Sequence, residues 1–575
     1  MKICLVNANV NLVSRDFLRA EIQQGLISLA AVLEKANHVV KIVDLKLLIL
    51  EKNWPIDGYL FNKVARVFAD IAPDLIGINT RCDSFPTSIN IARASKKVLP
   101  EVPVVMGGFQ VTFIAGQTLA TFPFIDYVLR GEAEYSLLEL VNTIEKGGDL
   151  RLVKGLTFRQ NGNIVENPDR ETFADMDLFP VPAYHHYESQ LLIPEISTRR
   201  EIYIDVGRGC PYSCKFCVCN KIYRGKYRMR SPEKVIDEIK LLKSRYGIKG
   251  FNIGVDHFLV DRDYVKKFCN LILKEKLDIT WGCNARPENA DEDLLLLMKN
   301  SGLYSIFFGI ETGSRKVQKD IQKNLNLSGI IPLLEICDRL KIFTVVAFIL
   351  GFPGETEKDI DRTLRLAVDC NKFFNVYSEI RVLAPMAGSE IYDSVKDNLK
   401  WTGLFNDIAE SPTAHIPANL ELIKKYPELF SVFYSIPLKE FSSRFLHGLV
   451  RFYSFSVQHF PLTIQLAFDE MEVGPVEFYR MFMKWAVKKK FKKSREFIDK
   501  HSDIILLIPR FLKEEYQKRN IQRQFMEMLV RVESRAAYNK FKSAYEVFRG
   551  LGGDPEEIDL KDMMIFGDKG AIFGK

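Results

Sequence analysis

The 575-residue sequence predicts an α/β protein with three regions. These are an N-terminal doubly wound sheet, a central partial (β/α)6 barrel and a mainly helical C-terminal region. Three observations predict this. Short apolar runs alternate with helical stretches over residues 1–145. The same alternation resumes from about Arg200 to Pro385. After about Asn398 it stops, and aromatic residues recur at helical spacing. The resulting regions are 1–145, a hairpin and linker over 146–195, the barrel over 196–397 and the helical region over 398–575.

In the first region the strands are expected at Lys2–Val6, Val39–Asp44, Leu75–Asn79, Val102–Met106 and Phe124–Val128. Gly25–Leu33 is a helix with one apolar face. A doubly wound sheet binds ligands at strand C-termini. Polar and glycine clusters stand there: Asn79-Thr80-Arg81, Gly107-Gly108-Phe109-Gln110, and Gly131-Glu132 with Glu134 beyond. Leu152–Val165 reads as a hairpin with an Asn161-Gly162 turn, and Asp175–Pro182 as a connector.

The barrel strands are expected at Ile202–Val206, Phe251–Val255, Asp278–Cys283, Tyr304–Ile310, Phe343–Leu350 and Val376–Leu383. Ser231-Pro232-Glu233 has the N-cap, N1 proline and early acid of a helix start, and Gly247 ends that helix. In such barrels chemistry collects at strand C-termini. Each strand end carries candidates: Asp256-His257, Asn284-Ala285-Arg286, Glu311-Thr312-Gly313-Ser314 and Gly351-Phe352-Pro353-Gly354-Glu355-Thr356. In the C-terminal region Phe430, Phe433, Tyr434, Phe441, Phe445, Phe452 and Tyr453 form stripes that read first as helix-packing faces. A lipid or aromatic pocket is the sharper alternative. Lys488–Lys493 is a basic run on an expected helix, usually a solvated face, with an anionic membrane surface or an acidic partner as the alternative.

Composition narrows the functions. Hydrophobic content of 47% and charged content of 27% suit a globular protein with a sizeable core. A net charge of +7 is small for this length and gives no nucleic-acid footprint. No signal peptide and no transmembrane run is read, and the ten cysteines lack a disulfide pattern, so a cytoplasmic protein with reduced thiols is expected.

The most informative stretch is Gly207–Cys217. Cys210, Cys214 and Cys217 have the spacing C-x3-C-x2-C, which can hold three irons of a cubane cluster and leave the fourth open. With Cys219 the string could also close a four-thiolate zinc knot; Cys219 reads rather as a packed neighbour. The cysteines, the Glu311–Ser314 string and the Gly351–Thr356 turn, in register with the strand count, resemble the radical S-adenosylmethionine (SAM) superfamily and its TIM-like barrel.

The resemblance implies a [4Fe-4S] cluster on Cys210, Cys214 and Cys217. It implies SAM chelating the open iron, with contacts drawn from Phe216, Arg228, Arg230, Arg286, Glu311, Gly351 and Gly354. The N-terminal region resembles the Rossmann-like cobalamin-binding domain found ahead of one large class of these enzymes. Cobalamin is then expected against Asn79, Thr80, Arg81, Gly107, Gly108, Phe109, Gln110, Gly131 and Glu132. The Asp-x-His-x-x-Gly string of domains that ligate cobalt by histidine is missing, and Gln110 stands where a histidine is usual. Cobalamin without a protein ligand on cobalt is therefore expected, with a corrin-free relic domain as the alternative.

The activity so implied is methylation of an unactivated carbon, begun by a 5′-deoxyadenosyl radical, on a small-molecule or peptide substrate. An electron donor of flavodoxin or ferredoxin type is implied with it. The competing readings are a radical cyclase, ring-rearranging or carbon–carbon coupling enzyme, and a metal-bearing binding module without turnover.

Overall fold

The computed structural model describes residues 1–10, 22–192, 201–406, 408–489, 507–519 and Glu533. Lys490–Lys493 of the basic run lie outside these residues. The chain divides into two compact units. Unit 1 comprises Met1–Phe307, Ile321–Lys323 and Ala384–Pro437, and unit 2 comprises Phe308–Asp320, Asn324–Leu383 and Leu438–Lys575. The stretch from 398 onward, expected as one helical region, is thus shared between them.

Unit 1 begins with a seven-stranded sheet of order β2-β1-β3-β4-β5-β6-β7. Its parallel part is β1 (Lys2–Asn7), β2 (Val39–Asp44), β3 (Leu75–Asn79), β4 (Val104–Gly107) and β5 (Tyr127–Leu129). The order 2-1-3-4-5 is the doubly wound one, and its strands are apolar because helices cover both faces. Strand β5 starts later than expected. Asp126 lies ahead of it, and its carboxylate accepts the Val104 N–H at 2.7 Å and faces Lys96. The expected hairpin forms from β6 (Leu156–Gln160) and β7 (Asn163–Glu166) and extends this sheet antiparallel to β5. Asn161 and Gly162 both have positive φ, 52° and 80°, as a two-residue hairpin turn requires.

The second sheet has the order β15-β14-β13-β12-β11-β8. Its strands are β8 (Glu201–Asp205), β11 (Gly250–Gly254), β12 (Thr280–Ala285), β13 (Leu303–Glu311), β14 (Phe343–Leu350) and β15 (Val376–Val382). All six expected strands are present and follow one another in sequence across the sheet. The pairs β8–β11, β11–β12 and β14–β15 are parallel. After β8 a two-residue clip of β9 (Gly207–Arg208) and β10 (Arg228–Met229) closes the base of the cysteine loop. The helix Pro232–Tyr246 follows, with the Ser231 hydroxyl accepting from Lys234 and Gly247 ending it at φ 70°.

The segment Ala384–Pro437 packs with the N-terminal sheet. Phe430, Phe433 and Tyr434 join that sheet's apolar core, with the Phe430 ring 5.1 Å from Phe85. In unit 2 the helix Ser443–His459 runs along β15: Ser454 donates to the Ile380 carbonyl and Gln458 to the Tyr377 hydroxyl. Phe445 and Phe452 pack against Tyr479, and Phe452 also against Phe482. The aromatic stripes are therefore packing faces.

Candidate active site

The cysteine loop is held by its own backbone. Gly209 has φ 93°, and a Cβ there would lie 2.0 Å from the Lys226 carbonyl, so only glycine fits. Its N–H donates to Asp256 at 3.3 Å. Lys215 is pinned on both sides, donating to Ile321 and accepting from Ile391. Cys210, Cys214 and Cys217 are half-buried in this loop, with the Cys217 N–H turned onto the Cys214 carbonyl at 3.0 Å. Burial raises the Cys210 thiol and pushes Cys217 up to about 12, so both are thiols until a metal displaces the proton. Cys219 is buried and hydrogen-bonded to Asp256. Phe216 is half-buried between the second and third cysteines.

Arg286, at the end of β12, is buried beside this loop. Its Nη1 lies 3.7 Å from the Cys214 sulfur, and its guanidinium stacks 3.7 Å from the Tyr212 ring centre. Its remaining donors go to Glu288 at 2.6 Å and the Lys323 carbonyl at 2.5 Å. The cation therefore stands where a thiolate cluster places negative charge. His257 packs against Tyr212 and bonds Asn289 through Nε2 at 3.2 Å; burial lowers it to about 4. Its buried Nδ1 has no partner among the described residues. Tyr212 and Asn289 were not singled out from the sequence, because nothing local marks them.

The other two arginines lie elsewhere. Arg228 is buried, forks onto Glu132 at 3.0 Å and donates to the Phe173 carbonyl. Arg230 pairs with Glu238 at 2.7 Å and donates to the Asp205 carbonyl. Between them Arg208 gathers three carboxylates: Glu132 at 3.0 Å, Glu134 at 2.6 Å and Asp205 at 2.9 Å. Burial opposes charge at Arg208, Glu134 and Asp205. Arg208 overcomes it at Glu134, which is held below its usual value, whereas burial dominates at Asp205 and raises it. Glu132, expected near a corrin tail, thus bridges Arg208 and Arg228. This ties the helix start after β5 to the residue two places ahead of Cys210.

At the strand ends of the first sheet the two glycines divide their roles. Gly108 has φ 114°, and a Cβ would meet the Thr80 carbonyl at 2.4 Å and Asn79 Oδ1 at 2.8 Å. The chain's own backbone therefore requires it. Gly107 has open space, with only the Leu129 carbonyl at 3.8 Å, and Gly131 has nothing within 4 Å. Thr80 is buried, its hydroxyl on the Gly107 carbonyl at 2.9 Å. Asn79 and Arg81 are half-buried, and Arg81 faces Asp83 at 3.4 Å. Phe109 is exposed, while Gln110 is buried and donates to the Leu429 carbonyl at 2.9 Å. Asn9, just past β1, keeps a buried Oδ1 with no partner among the described residues. Open glycine faces and an orphaned amide fit a ligand laid on the strand ends. His38 is at the other end of the sheet, held by the Met1 amine and Asn142.

In unit 2, Glu311 is buried and has φ 69°, while the Thr312 N–H closes back on the Ile310 carbonyl at 2.9 Å. A left-handed glutamate costs backbone energy, and such strain concentrates at functional positions. The following turn is fixed by Ser314 on Asp359 at 2.6 Å and by Gln318 on the Ile310 and Thr312 carbonyls. Gly351 and Gly354 have φ 99° and 76°; Gly354 has open space, and a Cβ on Gly351 would meet Leu446 at 2.9 Å. Glu355 accepts both the Gly351 and Phe352 N–H groups through Oε2, and burial raises it to about 8.

The comparisons with known proteins agree with this geometry. The radical SAM superfamily profile matches residues 204–367 and the B12-binding domain profile residues 20–141. The chain thus carries a radical SAM domain with a B12-binding domain ahead of it. It is a radical SAM enzyme whose cofactors are a [4Fe-4S] cluster, SAM and cobalamin. It is 28% identical over 383 residues to an uncharacterized methyltransferase of Pyrococcus horikoshii, covering 66% of this chain and 79% of that one. It is 28% identical over 317 residues to the anaerobic magnesium-protoporphyrin IX monomethyl ester cyclase of Rubrivivax gelatinosus, covering 54% of this chain and 57% of the cyclase. The solved structure of the radical SAM methyltransferase TsrM from Kitasatospora setae, with cobalamin and a [4Fe-4S] cluster bound, superposes with a TM-score of 0.56 at 17% identity. That match covers 83% of this chain and 99% of TsrM, and it speaks for the fold. Among the described residues no helix is long and apolar enough to cross a membrane.

Proposed function

We propose that this enzyme is a cobalamin-dependent radical SAM methyltransferase acting on an unactivated carbon of a small molecule or peptide. One observation carries the reading: a cysteine loop of cluster-binding spacing and a strand end with open glycine faces occur together in unit 1, fastened by Arg208 and Glu132. When bound, the cluster and SAM supply a carbon-centred radical, and cobalamin carries the methyl group. The chain's own residues hold and orient these groups. Cys210, Cys214 and Cys217 supply thiolates, and Arg286 sets positive charge against Cys214. Glu311 offers a carboxylate for SAM, and Gly354 an open backbone face. Phe216 is proposed to pack against SAM. Arg228 and Arg230, engaged by Glu132 and Glu238, are read as fastening the loop base. Gly107, Gly131 and Asn9 line the proposed corrin seat, with Asn79, Arg81 and Phe109 at its rim. The electron is proposed to come from a flavodoxin- or ferredoxin-type donor.

The cyclase relative supports a second reading, radical ring formation without methyl transfer. Both readings share the cluster and the corrin; transfer of the SAM methyl group to product separates them. Reconstituted with cobalamin and reduced to Co(II), the enzyme is expected to give a base-off paramagnetic resonance spectrum without nitrogen splitting. The reason is that His38, the only histidine before residue 145, is engaged at the far end of the sheet. No corrin uptake would overturn the proposed corrin seat.

A further inference from the structure

A metal-ligating cluster lies apart from the cysteine loop and the corrin seat. Glu34, His185 and His186 bring one carboxylate oxygen and two ring nitrogens within 4.8 Å of one another. His186 Nε2 is 2.8 Å and His185 Nε2 3.3 Å from the same Glu34 Oε1. The edge of a tetrahedron with bonds of about 2.0–2.1 Å is roughly 3.3 Å, the scale of a zinc site.

The placement is fixed by the surrounding structure. Tyr184-His185-His186-Tyr187 is one short 3-10 turn, and its two tyrosines are buried anchors. Tyr184 donates to Glu238 at 2.6 Å, and Tyr187 donates to Asp44 at 2.9 Å. The Ala183 N–H adds a bond to the Ile27 carbonyl at 3.0 Å. With the tyrosines pinned, both imidazoles are turned onto the end of the helix Gln24–Lys35. Glu34 sits in the last turn of that helix, where the helix dipole disfavours a carboxylate and a cation is favoured. The helix ends just before β2, so the cluster is at the strand N-termini, opposite the corrin seat.

We propose that Glu34, His185 and His186 bind a borderline divalent cation, zinc by preference, as an N2O site completed by water. Two imidazoles and a carboxylate are the donors such an ion selects, and the half-exposed His185 leaves room for solvent. The ion's role is structural: it clips the segment between hairpin and barrel onto the first helix of the B12-binding domain.

The test uses the full-length, untagged, cluster-loaded protein and zinc alone as probe. After zinc addition and dialysis, one zinc per chain is expected, with iron content unchanged. Zinc X-ray absorption should show only nitrogen and oxygen neighbours. His185→Ala, which alters a half-exposed ring, and Glu34→Gln should each lower zinc affinity about tenfold or more. His415→Ala, at the exposed His415–Glu410 pair, should leave it unchanged. Zinc should also raise the unfolding temperature of the parent but not of His185→Ala. Absence of retained zinc, a sulfur shell near about 2.3 Å, or equal affinity in the variants would overturn the proposal.

Discussion

Arg208→Met removes the cation that three carboxylates share, at nearly constant volume. Arg208 and Glu134 have side chains only 11% and 5% exposed, so water cannot take over the lost contacts. Glu132 keeps its fork to Arg228, and Glu134 keeps the Ser28 hydroxyl at 3.2 Å. Glu134 and Asp205 lose their cation. Breaking a buried pair from one side costs about 3–5 kcal/mol, and the loss at Glu134 dominates. The pH terms oppose each other. Glu134 is depressed, so its contribution is present above its usual range and fades as pH falls through its lowered value. Asp205 is raised, so its contribution fades as pH rises. Neutral pH is therefore a fair condition for the comparison. Unfolding by urea under anaerobic conditions gives the cost, and amide exchange at 131–137 and 205–209 locates it. Arg208→Met with Glu134→Gln should recover at least about 1.5 kcal/mol of the loss, because no unpaired carboxylate remains at that contact. A cost under about 1 kcal/mol for Arg208→Met, or protection unchanged in both segments, would refute the reasoning.

Three further outcomes follow from the strand ends. Gly107→Val should fold normally and lower cobalamin uptake on the order of tenfold, since its side chain would enter open space; Gly108→Ala should instead lose about 1–3 kcal/mol of stability with or without corrin. Glu311→Ala should weaken SAM binding about ten- to a hundredfold by titration calorimetry, and Glu311→Gly should do the same while relieving the strained φ of 69°. Glu355 is raised to about 8, so its contribution to stability is complete below its usual value near 4.5 and is lost as pH rises through 8. The equilibrium unfolding free energy should therefore fall between those limits by up to about 4–5 kcal/mol, and Glu355→Gln should flatten the profile.

Much of this was legible in the sequence because it is local. The C-x3-C-x2-C spacing, the alternation of strand and helix, the Ser231-Pro232 cap and the Asn161-Gly162 turn each depend on neighbours a few residues away. The strand ends were legible because topology places them. Arg228 was not, because its partner Glu132 is 96 residues distant and only the fold brings them together. Separations of 74 and of 151 and 152 residues likewise hid Arg208 with Glu134, and Glu34 with His185 and His186. Gly108 was legible as a glycine that mattered, but its reason is the Thr80 carbonyl behind it. The aromatic runs before and after Pro437 look alike in sequence, yet Phe430 and Phe452 pack into different compact units. Hydrophobic periodicity reports that a face is buried, not against what.

The central claim is methyl transfer through cobalamin, and one measurement tests it directly. The cluster- and cobalamin-loaded enzyme, chemically reduced, is given SAM with a trideuterated methyl group, and the nucleoside products are counted. With no substrate present, about one S-adenosylhomocysteine should form per cobalamin, with the label on the corrin fraction. On adding substrate, 5′-deoxyadenosine should rise in step with further S-adenosylhomocysteine, and the product should carry the label. 5′-Deoxyadenosine formed without S-adenosylhomocysteine and without label on corrin or product would contradict the account.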